Sequence, residues 1–290
     1  MPVHRFLQVD VFTARPLAGN PVAVVLAADD LDDATMQRLA AWTNLSETTF
    51  VLRPTTRDAD YRLRIFTPRS ELPFAGHPTI GSAHAVLEAG IVPADATRLV
   101  QECGAGLLPL RIERTASGRR LFVRVPEARV RREGVPPADV LARVLGARPV
   151  EDALTIDVGP VWLVARLADE AAVRALRPDG AGVAQVGEAA GATGLTVFAL
   201  REESEPRLVV RSFAPGAGVA EDPVCGSGNA SVAAYLCASG LLERSGDTFV
   251  ASQGRELGRD GEVHVRVGDA GQEIEIGGQA VTVVEGSLSL

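Results

Sequence analysis

The chain has 290 residues, 46% of them hydrophobic and 23% charged, and a formal net charge of −8. This is the balance of a soluble globular protein with room for one large or two ordinary domains. The acidic excess argues against nucleic acid or an anionic membrane as the main partner. No apolar run approaches the ~20 residues needed to cross a bilayer.

Taken in chain order, residues 6–12 alternate loosely and predict a strand, and 21–26 predict a second, continuous and buried one. Residues 31–42 predict a helix with acids Asp32 and Asp33 at its start and apolar positions at 36, 39 and 40. Strands follow at 48–52 and 61–66, then a loop over 67–76 and a Gly-led, Ala-rich helix from Gly76 to Gly90. Residues 99–103, 107–113 and 121–125 predict three more strands, broken by Gly104-Ala105-Gly106 and Ser117-Gly118. The Arg- and Glu-rich stretch 127–137, with Pro136 and Pro137, is the best linker candidate. Beyond it the order returns: helix near 138–146, strand 160–166, helix 168–176, strands 195–200 and 207–213, loop 214–226, helix 227–240. The tail predicts short strands with glycine turns at 261, 268, 271, 277 and 278. Strands dominate in number, so the class is α+β.

The second half repeats the first. Ala75 to Gly90 overlays Cys225 to Gly240 without a gap, with Gly76 on Gly226. Upstream, Arg64-Ile65-Phe66-Thr67-Pro68 matches Arg211-Ser212-Phe213-Ala214-Pro215, residues 48–52 match 196–200, and Asn20-Pro21-Val22 matches Gly159-Pro160-Val161. Matches in one common order predict two similar lobes from a duplicated unit: residues 1–126, completed by 281–290, and residues 127–280. A cleft between such lobes would set two helix starts toward each other. Their N–H groups and positive dipole ends suit a carboxylate ligand.

All 29 basic residues are arginine; the chain has no lysine. No Schiff base can form, which excludes pyridoxal-phosphate chemistry, and no Walker lysine is present for a nucleotide phosphate. His4, His77, His84 and His264 show no metal-ligand spacing; His84 and Glu88, four apart on a helix, read as a surface or packing pair. No metal and no cofactor are expected, so the chemistry falls to side chains. Cys103, Cys225 and Cys237 point to a reducing compartment rather than a disulfide framework. The start of the chain runs into a strand without a signal-peptide pattern. A cytoplasmic location is expected.

Where the copies differ, chemistry can sit. Glu47 precedes a buried strand and has Leu195 as counterpart, so it is either an acid of one lobe only or a solvated carboxylate. Glu221 and Asp222 occupy the longer pre-helix loop, opposite Pro73 and Phe74. They read as site acids beside Cys225-Gly226-Ser227-Gly228 or as an exposed acidic loop. His77 and Ser227 share one position after the turn glycine, where a polar residue can simply cap the helix; histidine is the poorer cap and draws more attention. Cys225, opposite Ala75, is either a small buried hydrophobe or a thiol whose thiolate is favoured by the helix dipole.

Five segments together, Asp10–Thr13, Gly19–Val25, Asn44–Phe50, Glu71–Thr79 and Glu221–Gly228, resemble the phenazine-biosynthesis PhzF-like isomerases, relatives of diaminopimelate epimerase and proline racemase. The resemblance covers essentially the whole chain. It implies two pseudo-symmetric lobes, each a barrel-like sheet around a central helix, and a homodimer. It also implies trans-2,3-dihydro-3-hydroxyanthranilate isomerase-like chemistry on a small carboxylate-bearing substrate. In it Glu47 is the acid/base, His77, Asp222 and Ser227 surround the substrate, and Gly76, Gly226, Asn20 and Cys225 contribute to binding. The racemase and epimerase relatives use two opposed cysteines, whereas this chain has Ala75 at the first position. The alternatives are a one-thiol, Cys225-dependent epimerase- or dehydratase-like enzyme and a non-catalytic small-molecule-binding protein.

Overall fold

The computed structural model describes residues 2–201, 204–268 and 273–290. It divides into two compact units, one running to Arg124 and taking in Gly277–Leu290, the other Val125–Ile276.

The first unit holds β1 (Val3–Val11), β2 (Asn20–Val25), α1 (Asp33–Thr43), β3 (Thr48–Leu52), β4 (Tyr61–Phe66), β5 (Glu71–Leu72), α2 (Gly76–Glu88), β6 (Arg98–Cys103), β7 (Gly106–Thr115) and β8 (Gly118–Arg124). β1 and β2 are antiparallel, β2 and β3 parallel, β3 and β4 antiparallel, β4 and β6 parallel, and β6, β7 and β8 form a meander. The last strand of the chain, Ala280–Ser289, runs antiparallel along the other edge of β1.

The second unit holds β9 (Arg129–Arg131), α3 (Ala138–Leu145), β10 (Leu154–Asp157), β11 (Val161–Arg166), α4 (Glu170–Ala175), α5 (Gly180–Ala189), β12 (Gly194–Leu200), β13 (Leu208–Ala214), β14 (Val219–Asp222), α6 (Gly226–Ala238), α7 (Leu242–Ser245), β15 (Thr248–Gln253), β16 (Gly261–Gly268) and all but the last two residues of β17 (Glu273–Gly278); β18 is Ala280–Ser289 of the first unit. Its pairings repeat the same pattern: β10 with β11 antiparallel, β11 with β12 parallel, β12 with β13 antiparallel, β13 with β15 parallel, β15 with β16 antiparallel. The internal repeat is therefore a repeat of topology as well as of residues.

Each unit is built on one helix. In α2, 11 of 13 residues are buried, against only Met36, Leu39 and Ala40 in α1. A helix apolar on all sides has to be surrounded, and α2 packs on β1, β2, β3, β4, β8 and β18. α6 is buried in the same way among β10, β11, β12, β13 and β16. Both helices stop alike. Gly90 and Gly240 take φ of 71° and 69°, and the paired bonds Gly90 N–H to Leu87 O with Ile91 N–H to Val86 O recur as Gly240 to Cys237 with Leu241 to Leu236. This is the left-handed glycine stop, formed twice.

Several expectations need correction. The loops 67–76 and 214–226 are not irregular throughout: β5 pairs with β4, and β14 with β13. The cause is an arginine latch in each copy. Arg64 donates from Nε and Nη2 to both carboxylate oxygens of Glu71, each at 2.7 Å, and Arg211 does the same to Glu221 at 2.8 Å. The stretch 127–137 is not a plain linker, since β9 lies within it and pairs with β10. β10 and α5 were not foreseen; glycines at 180, 182 and 187 mask α5, which Asp179 caps by accepting from Ala181 N–H. Gly261, Gly268, Gly277 and Gly278 lie at or near strand ends rather than in turns, and Gly271 falls outside the described residues.

Gly81 shows how tightly α2 is seated. A Cβ there would lie 2.4 Å from Val22 Cγ1 and 2.9 Å from Val11 Cγ2. Alanine gains up to ~1 kcal/mol of helix propensity, but overpacking a rigid core costs ~1–3 kcal/mol. Gly81→Ala is expected to be the less stable protein by ~1–2 kcal/mol in urea unfolding; an equal or higher midpoint would contradict this packing.

Candidate functional site

In the first unit the site is made where α1 ends and α2 begins. Asn44 stops α1 in the left-handed conformation, φ 54°, and the chain turns through Leu45 and Ser46 to enter β3. Ala23 N–H donates to Glu47 O at 3.4 Å, and Thr48 pairs with Ala23 in the parallel ladder. Thr43 and Thr48 hydroxyls lie 2.7 Å apart. Glu47 is thus fixed by backbone and neighbours at the head of a buried strand. Its side chain is 15% exposed. Burial pushes the carboxyl up to about 7 from the ordinary 4.5, against a smaller downward pull from the Ser46 side chain.

His77 is the second residue of α2 and is buried. Its Nε2 lies 3.4 Å from Glu47 Oε2, and Oε2 makes no hydrogen bond. A carboxyl poised near neutrality beside an imidazole is a group that can lose and regain a proton at physiological pH. Asn20 is buried at the first position of β2, and Gly76 is half-buried at the first position of α2.

In the second unit the loop into α6 is held from several sides. Asp222 ends β14; its Oδ1 accepts from Val224 N–H at 3.1 Å, and its backbone oxygen accepts from Gln253 Nε2 at 2.9 Å. Gln253 Oε1 in turn accepts from Cys225 N–H and Asn229 Nδ2. Behind Glu221, the buried Arg211 guanidinium also donates from Nη1 to the carbonyls of Val173 and Leu176. Ser227 is half-buried at the second position of α6 and accepts from Trp162 Nε1–H at 3.0 Å. Gly226, ahead of it, is buried.

Neither His77 nor Ser227 caps its helix. The caps are Ala75, with no side-chain bond, and Cys225, whose Sγ accepts from Gly228 N–H at 3.2 Å. The helices begin at the turn glycine itself, two residues earlier than a cap at 77 or 227 requires. The N–H groups of Gly76 and His77, and of Gly226 and Ser227, lie outside the helical ladder in both copies. Pro78 lacks the next one, and Cys225 takes it in α6.

Cys225 is 3% exposed. Burial first, and the Asp222 carboxylate second, push its thiol well above the usual range. The dipole contact through Gly228 does not outweigh this, which favours the first of the two readings of Cys225, a small buried side chain, here also the cap of α6. His84 and Glu88 form a pair, Nε2 to Oε1 3.2 Å, that holds Glu88 well below the usual carboxylate range, helped by the Thr282 hydroxyl. Among the described residues no three His, Cys, Asp or Glu side chains gather as metal ligands. Sequence reasoning missed Trp162 and Gln253. Trp162 has Ala23 as its repeat counterpart, a large departure that could have marked it.

The sequence profile described as "Phenazine biosynthesis-like protein" matches residues 9–286. "Antisense-enhancing sequence 1" of Schizosaccharomyces pombe is 40% identical over 99% of each chain. The trans-2,3-dihydro-3-hydroxyanthranilate isomerase of Pseudomonas aeruginosa is 35% identical over 99% of this chain and all of its own. A crystal structure of a PhzF-family phenazine biosynthesis protein from Bacillus anthracis superposes over both whole chains with a TM-score of 0.88 and 27% identity.

Two measurements test the electrostatics. Folded Glu47 keeps its proton between pH 4.5 and 7, where the unfolded chain has lost it, so Glu47 favours folding least above pH 7. At pH 8 this costs about 3 kcal/mol. Glu47→Gln should therefore be the more stable protein at pH 8, by ~1–3 kcal/mol, with the advantage fading toward pH 4.5; parallel stability curves would contradict the raised carboxyl. Iodoacetamide at pH 7.5 should label Cys103 and Cys237 in the native protein and reach Cys225 only on unfolding, as read by peptide mass spectrometry.

Proposed function

The chain belongs to the phenazine biosynthesis-like family and is an isomerase; on that premise we propose that Glu47 is its proton-shuttling acid/base. The observation that carries this is a buried carboxyl raised to about 7 beside His77. We propose as substrate a small carboxylate-bearing molecule of the kind handled by the P. aeruginosa relative, trans-2,3-dihydro-3-hydroxyanthranilate. In this reading Glu47 removes a proton from carbon, the C–H electron pair enters the conjugated system, and the double bond shifts. The same carboxylic acid then returns the proton to the carbon at the far end. No atoms are gained or lost and no redox partner is needed, so side chains suffice without a cofactor.

His77 stabilises the charge that develops as the proton moves, 3.4 Å from the shuttling oxygen. Asp222 and Ser227, with the N–H groups of Gly76 and Gly226 and the buried Asn20, are the proposed substrate-holding groups. Cys225 enters this reading as the cap of α6 rather than as a nucleophile, because burial keeps its thiol protonated. The expected assembly is a homodimer in the cytoplasm.

Glutamine at position 47 keeps the shape and cannot carry the proton. Glu47→Gln is expected to lose ~10²–10⁴-fold in turnover and to stop solvent deuterium entering the product, as followed by NMR in deuterium oxide. For the unsubstituted protein kcat/KM should rise with pH through about 7, since the base must be ionised to start. Undiminished deuterium incorporation in the variant would refute the shuttle.

A further inference from the structure

Ser227 is held by a group that can only donate. The Trp162 indole N–H points its proton at Ser227 Oγ across 3.0 Å, and indole nitrogen has no acceptor capacity. A serine hydroxyl has one proton and two lone pairs. With one lone pair engaged by Trp162, the hydroxyl proton is directed elsewhere. Among the contacts made to Ser227 Oγ, the other neighbour is Cys225 Sγ at 3.6 Å. Sulfur is a weak acceptor, and this one already accepts from Gly228 N–H. An oxygen anion brought to Ser227 outcompetes it for the proton.

The indole is placed for this by packing. Trp162 is buried on β11, directly across the parallel ladder from Gly194. A Cβ at Gly194 would lie 2.9 Å from the indole ring and 2.2 Å from Phe213 O, so glycine makes the space the ring fills. The pair belongs to this unit alone. In the first copy Ala23 stands at the Trp162 position and, two residues back from the Thr48–Thr196 match, Ser46 stands at the Gly194 position.

We infer that Trp162 is a positioning residue that occupies one lone pair of Ser227 and so turns the hydroxyl proton toward an acceptor oxygen of the substrate, such as a carboxylate. This rests on the reading above that Ser227 touches the substrate. Trp162 touches no reacting atom; it acts through Ser227.

A double-mutant cycle separates the two. Trp162→Phe keeps an aromatic ring and removes the N–H; Ser227→Ala removes the hydroxyl. KM and kcat are measured with trans-2,3-dihydro-3-hydroxyanthranilate, and the Kd of anthranilate by calorimetry, with melting curves confirming that each variant folds. Losing a charge-assisted hydrogen bond weakens binding on the order of tenfold or more, so Ser227→Ala should raise KM and Kd by about that factor. Trp162→Phe should raise both ~3–10-fold with kcat nearly unchanged, and should change nothing further in the Ser227→Ala background. A merely structural tryptophan would instead lower the melting temperature and kcat alike in both backgrounds. If the two effects add, the inference falls and the Ser227 reading stands. If Ser227→Ala leaves KM and Kd unchanged, the Ser227 reading falls and takes the inference with it. If the unsubstituted protein neither turns over the first compound nor binds the second, both are overturned.

Discussion

A helix buried on every side must satisfy its surroundings with small and apolar side chains, and this constraint organises both units. α2 and α6 are lined with alanine, glycine and serine where strands press against them, and Gly81 leaves no space even for a methyl group. Such helices have little freedom to carry chemistry along their length. Their first turns are different, because the N–H groups there have no partner within the helix. His77 and Ser227 both sit in that first turn. The loops leading into it are stiffened by the same device twice, a bidentate arginine–glutamate pair on the neighbouring strand.

Duplication supplied one scaffold and two sets of side chains. The pairing order, the parallel crossings, the glycine stops and the arginine latches are shared. Side chains differ widely around that scaffold, and among the differences are Glu47 against Leu195, Ala75 against Cys225, His77 against Ser227 and Ala23 against Trp162. In one copy the difference produces a carboxyl raised by burial next to an imidazole. In the other it produces a hydroxyl oriented by an indole and a thiol spent as a cap. Equivalent frames thus hold different groups, a carboxyl beside an imidazole in one and a hydroxyl beside an indole N–H in the other.

Much of this was legible in the sequence, for definable reasons. Strands 48–52 and 61–66 coincide with the structure because β-branched and aromatic residues there are bounded by clear breakers. The glycine-led helices were readable because glycine at both ends of an alanine-rich run has few other uses. The pairing of Glu47 with His77 was not readable from spacing, since 30 positions separate them and only the parallel crossing of β2 and β3 brings the turn at Ser46 back to the head of α2. Helix α5 was hidden by its own glycines, which are tolerated because Gly182 lies against Val144 of α3. The two readings of Cys225 could not be separated in the sequence, and burial favours the small buried side chain. A helix dipole is visible in a sequence, whereas the loss of solvent that opposes it is a property of the fold.

The terminal strand has a consequence for how the molecule is made. β18 lines the edge of β1, Val3 opposite Ser289, and Leu290 N–H reaches back to Pro2 O at 3.2 Å. A nascent chain growing on the ribosome therefore exposes β1 with one open edge throughout synthesis of the entire second unit. The later-made unit can close before the earlier one, and the interval leaves an uncapped, largely apolar strand available for errant pairing. Chaperone dependence during translation should accordingly concentrate on the amino-terminal third of the polypeptide.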